Sequence, residues 1–66
     1  MSAALRVLVV DDQQLLRRGL IMLFGTVEGV DVVAQAAHGD EALAVLRAKR
    51  IDVEVEIGRA SCRERV

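Results

Sequence analysis

An α/β domain built on a parallel sheet is the fold class that this sequence predicts, and three observations carry the prediction. The run LRVLVV over Leu5–Val10 is continuously apolar, as a strand covered on both faces has to be. Residues 13–24 then change to a helical period, with Leu16, Leu20, Leu23 and Phe24 falling on one stripe. Strand-like and helical segments continue to alternate as β-α-β-α-β, the order that lays helices on the faces of parallel strands.

Each element can be justified in turn. The first strand stops abruptly at Asp11-Asp12. In the helical segment, Arg17 and Arg18 fall off the apolar stripe, Gly19 reads as a close-packing position and Met22 as core filling. Asp12 is placed to cap the helix start, because a carboxylate there accepts orphan backbone N–H groups, and Gly25 is a natural stop. A loop over residues 26–29 leads to a second strand, Val30–Ala36, whose apolar part is Val30, Val32, Val33 and Ala34. His38-Gly39 reads as a turn. Residues 40–49 are helical again, with Ala42, Leu43, Val45 and Leu46 inward and Glu41, Arg47 and Lys49 facing water. Asp40 sits where a helix start favours negative charge.

The third strand, residues 53–57, carries a conflict. It alternates valine with Glu54 and Glu56. Two unpartnered carboxylates under a covering helix would cost several kcal/mol. Either this strand lies at an exposed edge, or its sequence is foreign to the fold.

Bulk composition bounds the rest. With 66 residues there is room for one small domain. Hydrophobic content of 53% and charged content of 29% are those of a globular chain. The net charge of -1 advertises neither a nucleic-acid nor an anionic-membrane surface. Residues 1–55 hold six Lys/Arg against eight Asp/Glu, whereas residues 56–66 hold three Arg against two Glu. No apolar run approaches the roughly 20 residues needed to span a bilayer, and the N-terminus lacks the apolar core of a signal peptide. A cytoplasmic setting without membrane contact is therefore expected. Cys62 is the single cysteine, which excludes an internal disulfide and a thiolate metal cluster. Neither a phosphate-binding P-loop nor a dinucleotide fingerprint occurs.

Asp11 and Asp12 are the candidate site. Ligands of open α/β sheets bind beyond the carboxyl ends of the strands. Adjacent carboxylates repel, so a nearby cation makes the pair easier to hold. Oxygen-only ligands suit Mg2+, which keeps several of its waters. The dipeptide alone serves equally well as a helix cap on a solvated turn. His38 has no second His, Cys or base near it in sequence and reads as a loop histidine.

The segments LRVLVVDDQQLLRRGLIMLF and GVDVVAQAAHGDEALAVLRAKRIDV together resemble the start of a response-regulator receiver domain, over residues 4 to 53. Arg18-Gly19-Leu20 is most similar to the NarL/FixJ subfamily. The resemblance implies a flavodoxin-like, doubly wound fold of five parallel strands and five helices, of which this chain is a truncated N-terminal half. It implies transfer of a phosphoryl group from a sensor histidine kinase to an aspartate at the end of the third strand. Mg2+ would neutralise the oxygens in flight, held by Asp11 and Asp12. The acceptor aspartate maps onto position 57, where this sequence has Ile57, which cannot be phosphorylated. The family's switch Ser/Thr, its fifth-strand Lys and the subfamily's C-terminal helix-turn-helix are absent too. The resemblance thus implies an inactive, non-enzymatic fragment. Its parent would be a transcription regulator in a phosphorelay, binding DNA only through the missing domain, with a homodimer left open.

The final segment EIGRASCRERV, residues 56–66, resembles translated sequencing-adapter DNA. That origin would account for the shift in composition, the stray Cys62 and the lost acceptor. The division is then residues 1–55, receiver-like, and residues 56–66, non-native. Two other function classes compete. A Mg2+-dependent phosphohydrolase of the haloacid-dehalogenase type wants a second Asp two positions after the first, but Gln13 stands there. A non-catalytic interaction fragment needs no site. A chain of this size, with faces shaped for missing elements, is expected to be partly ordered and aggregation-prone, with an exposed strand edge.

Overall fold

A computed structural model describes residues 4–56 of the chain. Its elements are β1 (Leu5–Val10), α1 (Gln14–Phe24), β2 (Val30–Ala36), α2 (Gly39–Ala48) and β3 (Val53–Glu56). The three strands form one parallel sheet in the order β2-β1-β3. The α/β class, the element order and the parallel sheet expected from sequence are all present, in an arrangement consistent with the beginning of a flavodoxin-like fold. The chain crosses from β1 to β2 and then back past β1 to β3. Right-handed crossovers in opposite directions put α1 and α2 on opposite faces of the sheet.

β1 is the centre. Val7, Leu8, Val9 and Val10 are all buried. Side chains alternate across a strand, so Leu8 and Val10 face one way and Val7 and Val9 the other. Leu8 and Val10 pack with Ala36 and Ala42, flanked by Ala34, Val45 and Ile51. This cluster, under α2, is the principal core.

Among the described residues β3 lies at the edge of the sheet, so its two glutamates need no buried partners. Among the described residues β3 pairs only with β1, with Leu8 opposite Glu54 and Val10 opposite Glu56. Both glutamates share the α2 face, but α2 lies over β1 and β2, leaving them exposed. Position 57, the expected end of this strand, and Cys62 lie outside the described residues.

Several sequence expectations need correction. The face that α1 lays on the sheet consists of Arg17, Leu20, Ile21 and Phe24, all half-buried. Arg17 was expected off the stripe, and Leu16 and Leu23 on it; both leucines are exposed. The buried stripe keeps helical spacing through Leu20, Ile21 and Phe24, and Arg17, at its start, makes two hydrogen bonds. Met22 is 74% exposed and fills no core. A Cβ added at Gly19 would meet nothing within 4 Å, so no close packing requires that glycine. In α2, Ala42 is buried and Val45 half-buried, while Leu43 and Leu46 are exposed.

The connections are tied by specific bonds. Gly25 ends α1 with helical dihedrals, its N–H donating to the Ile21 carbonyl at 3.0 Å. Gly29 has φ +85, a left-handed conformation that a side chain makes costly. Its carbonyl accepts the Leu5 N–H at 2.9 Å, joining the turn to β1. Before β3, Asp52 uses Oδ2 to accept the Arg6 N–H at 2.9 Å, while Arg6 Nε donates to the Arg50 carbonyl at 2.8 Å. The β1–β2 register shifts between Val7 and Leu8, so Val33 is an extra residue without its own partner on β1. Lys49 Nζ donates to the Val33 carbonyl at 3.1 Å, satisfying the bulged peptide from the end of α2.

Candidate functional site

The carboxyl ends of the three strands converge on a hollow of about 180 Å3. From β1 it is lined by Val10 and by the following Asp11 and Asp12. The β2–α2 turn contributes Ala37, His38 and Gly39, and the end of β3 contributes Glu56. This is the rim at which open α/β sheets bind ligands.

Asp11 continues the β1 ladder, its N–H donating to the Ala36 carbonyl at 3.1 Å. That bond draws the residue into the sheet, and it is only 2% exposed. Its Oδ1 accepts the Gln13 N–H at 2.9 Å. Its Oδ2 is buried and has no hydrogen-bond partner. Asp12, one residue on, is exposed at the mouth.

This geometry corrects the capping expectation. Gln13, not Asp12, occupies the N-cap of α1, and no side chain caps it. The carboxylate that accepts a backbone N–H at this helix start belongs to Asp11. Asp12 is left free for solvent or a ligand. At α2 the expected negative charge is present, with Asp40 and Glu41 in the first turn. Glu41 Oε1 reaches back past the N-cap, His38, to accept the Ala37 N–H at 2.7 Å. The helix start at the rim is thereby fixed.

An orphaned carboxylate oxygen in a buried position is expensive, costing more than the roughly 1–3 kcal/mol of a neutral group left unsatisfied. Native proteins rarely keep such a group without an ion, a water or a functional reason. The donors here are hard oxygens on two adjacent residues. They fit a hard divalent cation of the Mg2+ type, for which one or two carboxylates suffice because water completes the shell. Among the described residues, no group of three or more His, Cys, Asp or Glu is arranged to hold a metal ion. Asp11 and Asp12 thus offer part of a coordination sphere.

His38 was not foreseen at the site, and neither was Glu56, the first residue of the segment read from sequence as non-native. His38 lines the hollow beside Gly39, with Nε2 3.8 Å from Glu41 Oε2. The available signal was topological: both residues follow or end parallel strands, so both must come to the same rim. Arg17 was missed as well. Its Nη1 donates to the Asp11 carbonyl at 2.7 Å and its Nε to Gln35 Oε1 at 2.8 Å.

Comparison with known proteins gives a consistent set of relatives. Over 49 residues, 74% of this chain, the sequence is 43% identical to Response regulator GacA of Pseudomonas viridiflava. Over the same length it is 41% identical to Response regulator GacA of Pseudomonas aeruginosa. A third, Response regulator GacA of Pseudomonas protegens, is 46% identical over 39 residues, 59% of this chain and 18% of the relative. The chain spans 23% of the length of the first two relatives. No family model matches the chain, and no solved structure matches it. Among the described residues, no helix is long and apolar enough to cross a membrane.

Proposed function

We propose that residues 1–55 are the N-terminal part of a response-regulator receiver domain, with Asp11 and Asp12 as the carboxylates that hold Mg2+ for phosphoryl transfer. The observation that carries this reading is Asp11 Oδ2, buried and unpartnered at the tip of the central strand. The similarity to GacA response regulators supports it from an independent direction. When bound, the cation would neutralise charge on a phosphoryl group in transfer. The chain's own residues would supply its anchorage: Asp11 from within the sheet, Asp12 from the mouth.

In the parent protein a sensor histidine kinase would be the phosphoryl donor, and a C-terminal DNA-binding domain of the NarL/FixJ type would read out the signal in the cytoplasm. This chain itself would accept no phosphoryl group, because Ile57 stands at the position that the resemblance assigns to the acceptor aspartate. We read residues 56–66 as a non-native, adapter-derived segment. The nucleotide record tests that directly: codons across 57–66 that differ from adapter DNA would overturn it.

The experiment for the cation is Mg2+ titration of the 66-residue chain, followed by calorimetry and by amide chemical shifts. Saturable binding that Asp11→Asn abolishes is the expected result. Binding unchanged in that variant would remove Asp11 from the site. Incubation with acetyl phosphate should leave the mass of the chain unchanged; an acyl phosphate on it would overturn the assignment of position 57.

A further inference from the structure

Arg17 has a place in this site that neither charge nor periodicity announces. Its guanidinium uses two arms at once, Nη1 on the Asp11 carbonyl and Nε on Gln35 Oε1. It therefore grips the main chain of Asp11 and not its carboxylate. A guanidinium on Oδ2 would satisfy the oxygen and cancel the charge that a cation needs. Held at the carbonyl, the residue keeps Oδ1 on the Gln13 N–H and Oδ2 free.

Gln35 reaches Arg17 only because of the extra residue in β2. With the observed register, Ala34 pairs with Leu8, Gln35 with Val9 and Ala36 with Val10. Gln35 therefore shares the α1 face with Val9, while Ala34 and Ala36 enter the core under α2. Without the bulge at Val33, Gln35 would pair with Val10 and turn into that core, because a one-residue slip exchanges the two faces. The bulge thus serves two ends: it keeps an amide out of the apolar cluster and delivers it to Arg17. Lys49, bonded to the Val33 carbonyl, secures the bulged peptide.

We propose that Arg17, oriented by Gln35, is a positioning residue that locks the main chain at Asp11 and so keeps the Asp11 carboxylate free for a divalent cation. The proposal rests on the reading of Asp11 as a cation ligand given above. Partners at one remove from a metal ligand characteristically cost 10–100-fold in metal affinity when lost.

The test uses the 66-residue chain with Mg2+ alone as probe, and three variants. Arg17→Lys keeps the aliphatic stem and the charge but not the two-armed fork. Gln35→Ala removes the orienting acceptor, and Gln35→Glu restores one. Far-UV circular dichroism checks that each variant retains the fold. Two readouts follow: Mg2+ affinity, and hydrogen exchange at the Gln13 amide, whose partner is Asp11 Oδ1 without any metal. Arg17→Lys is expected to weaken Mg2+ binding about tenfold or more and to lose Gln13 protection. Gln35→Ala should shift both in the same direction, and Gln35→Glu should return both to the parent values. Unchanged affinity and unchanged Gln13 protection in Arg17→Lys and Gln35→Ala would overturn the proposal. A parent chain that binds no Mg2+, while the variants still lose Gln13 protection, would sink the cation reading and support the locking of the loop.

Discussion

β1 and β3 are both short, valine-rich and parallel, and they are hydrogen-bonded to each other, yet they lead opposite lives. β1 has a strand on either side and a helix on either face, and its last four residues are buried. β3 has a neighbour on one side among the described residues, and only Val55 is even half-buried. The difference was already written in alternation: an unbroken apolar run against valine interleaved with glutamate. It teaches that position in a sheet, more than strand propensity, decides what a strand contributes to stability. It also locates the site. The chain end of the fully enclosed strand holds the Asp11 carboxylate almost wholly out of solvent, whereas Glu56 at the end of the edge strand is exposed.

The sharpest way to break this contrast is at its centre. Leu8→Ala removes a fully buried side chain and should cost about 2–5 kcal/mol. In a domain of this size that abolishes the folded far-UV circular dichroism signal, and a variant that kept its urea midpoint would refute the central role of β1. The next effect has the opposite sign. Asp11→Asn removes a buried, unpartnered charge, so without divalent cation it should stabilise the chain by about 1–3 kcal/mol, read as a higher urea midpoint. The same variant should lose any gain in midpoint on adding Mg2+, because a ligand stabilises only the state that binds it.

Gly29→Ala forces a side chain into a left-handed conformation and should cost roughly 1–2 kcal/mol, measured by the same denaturation. Smallest of all is Glu54→Thr on β3. Its effect on the midpoint should fall within about 0.5 kcal/mol, as at most exposed positions. Its visible consequence should be self-association in analytical ultracentrifugation, because charge on an edge strand blocks pairing between molecules. A large loss of stability there would mean that β3 is enclosed after all.

Much of this was legible in the residues. LRVLVV marked the central strand, the VEVE alternation marked the edge, and Asp11-Asp12 marked the rim. What could not be read was the roll of α1. Leucines at 16, 20 and 23 suggested one face, but the face on the sheet is Arg17, Leu20, Ile21 and Phe24, with Arg17 bonded to the Asp11 carbonyl and Gln35 and with Leu16 and Leu23 outward. Periodicity registers apolar spacing and is blind to one strong hydrogen-bonding group. The bulge at Val33 was equally hidden, since nothing in VDVVAQA signals a slipped register until its partner strand is in place. The division of labour within the acidic pair followed from a single bond, Asp11 N–H to the Ala36 carbonyl, which buries one aspartate and leaves the other outside.

Paramagnetic broadening by Mn2+, a hard divalent ion that takes the same oxygen ligands as Mg2+, tests the central claim most directly. Substoichiometric Mn2+ added to the isotopically labelled chain should broaden amides of residues 10–13 and 37–39 first. Excess Mg2+ should reverse the effect, and Asp11→Asn should abolish it. Broadening centred instead on Asp40 and Glu41 or on Glu54, or equal broadening in Asp11→Asn, would contradict the assignment of the buried Asp11 carboxylate as a cation ligand.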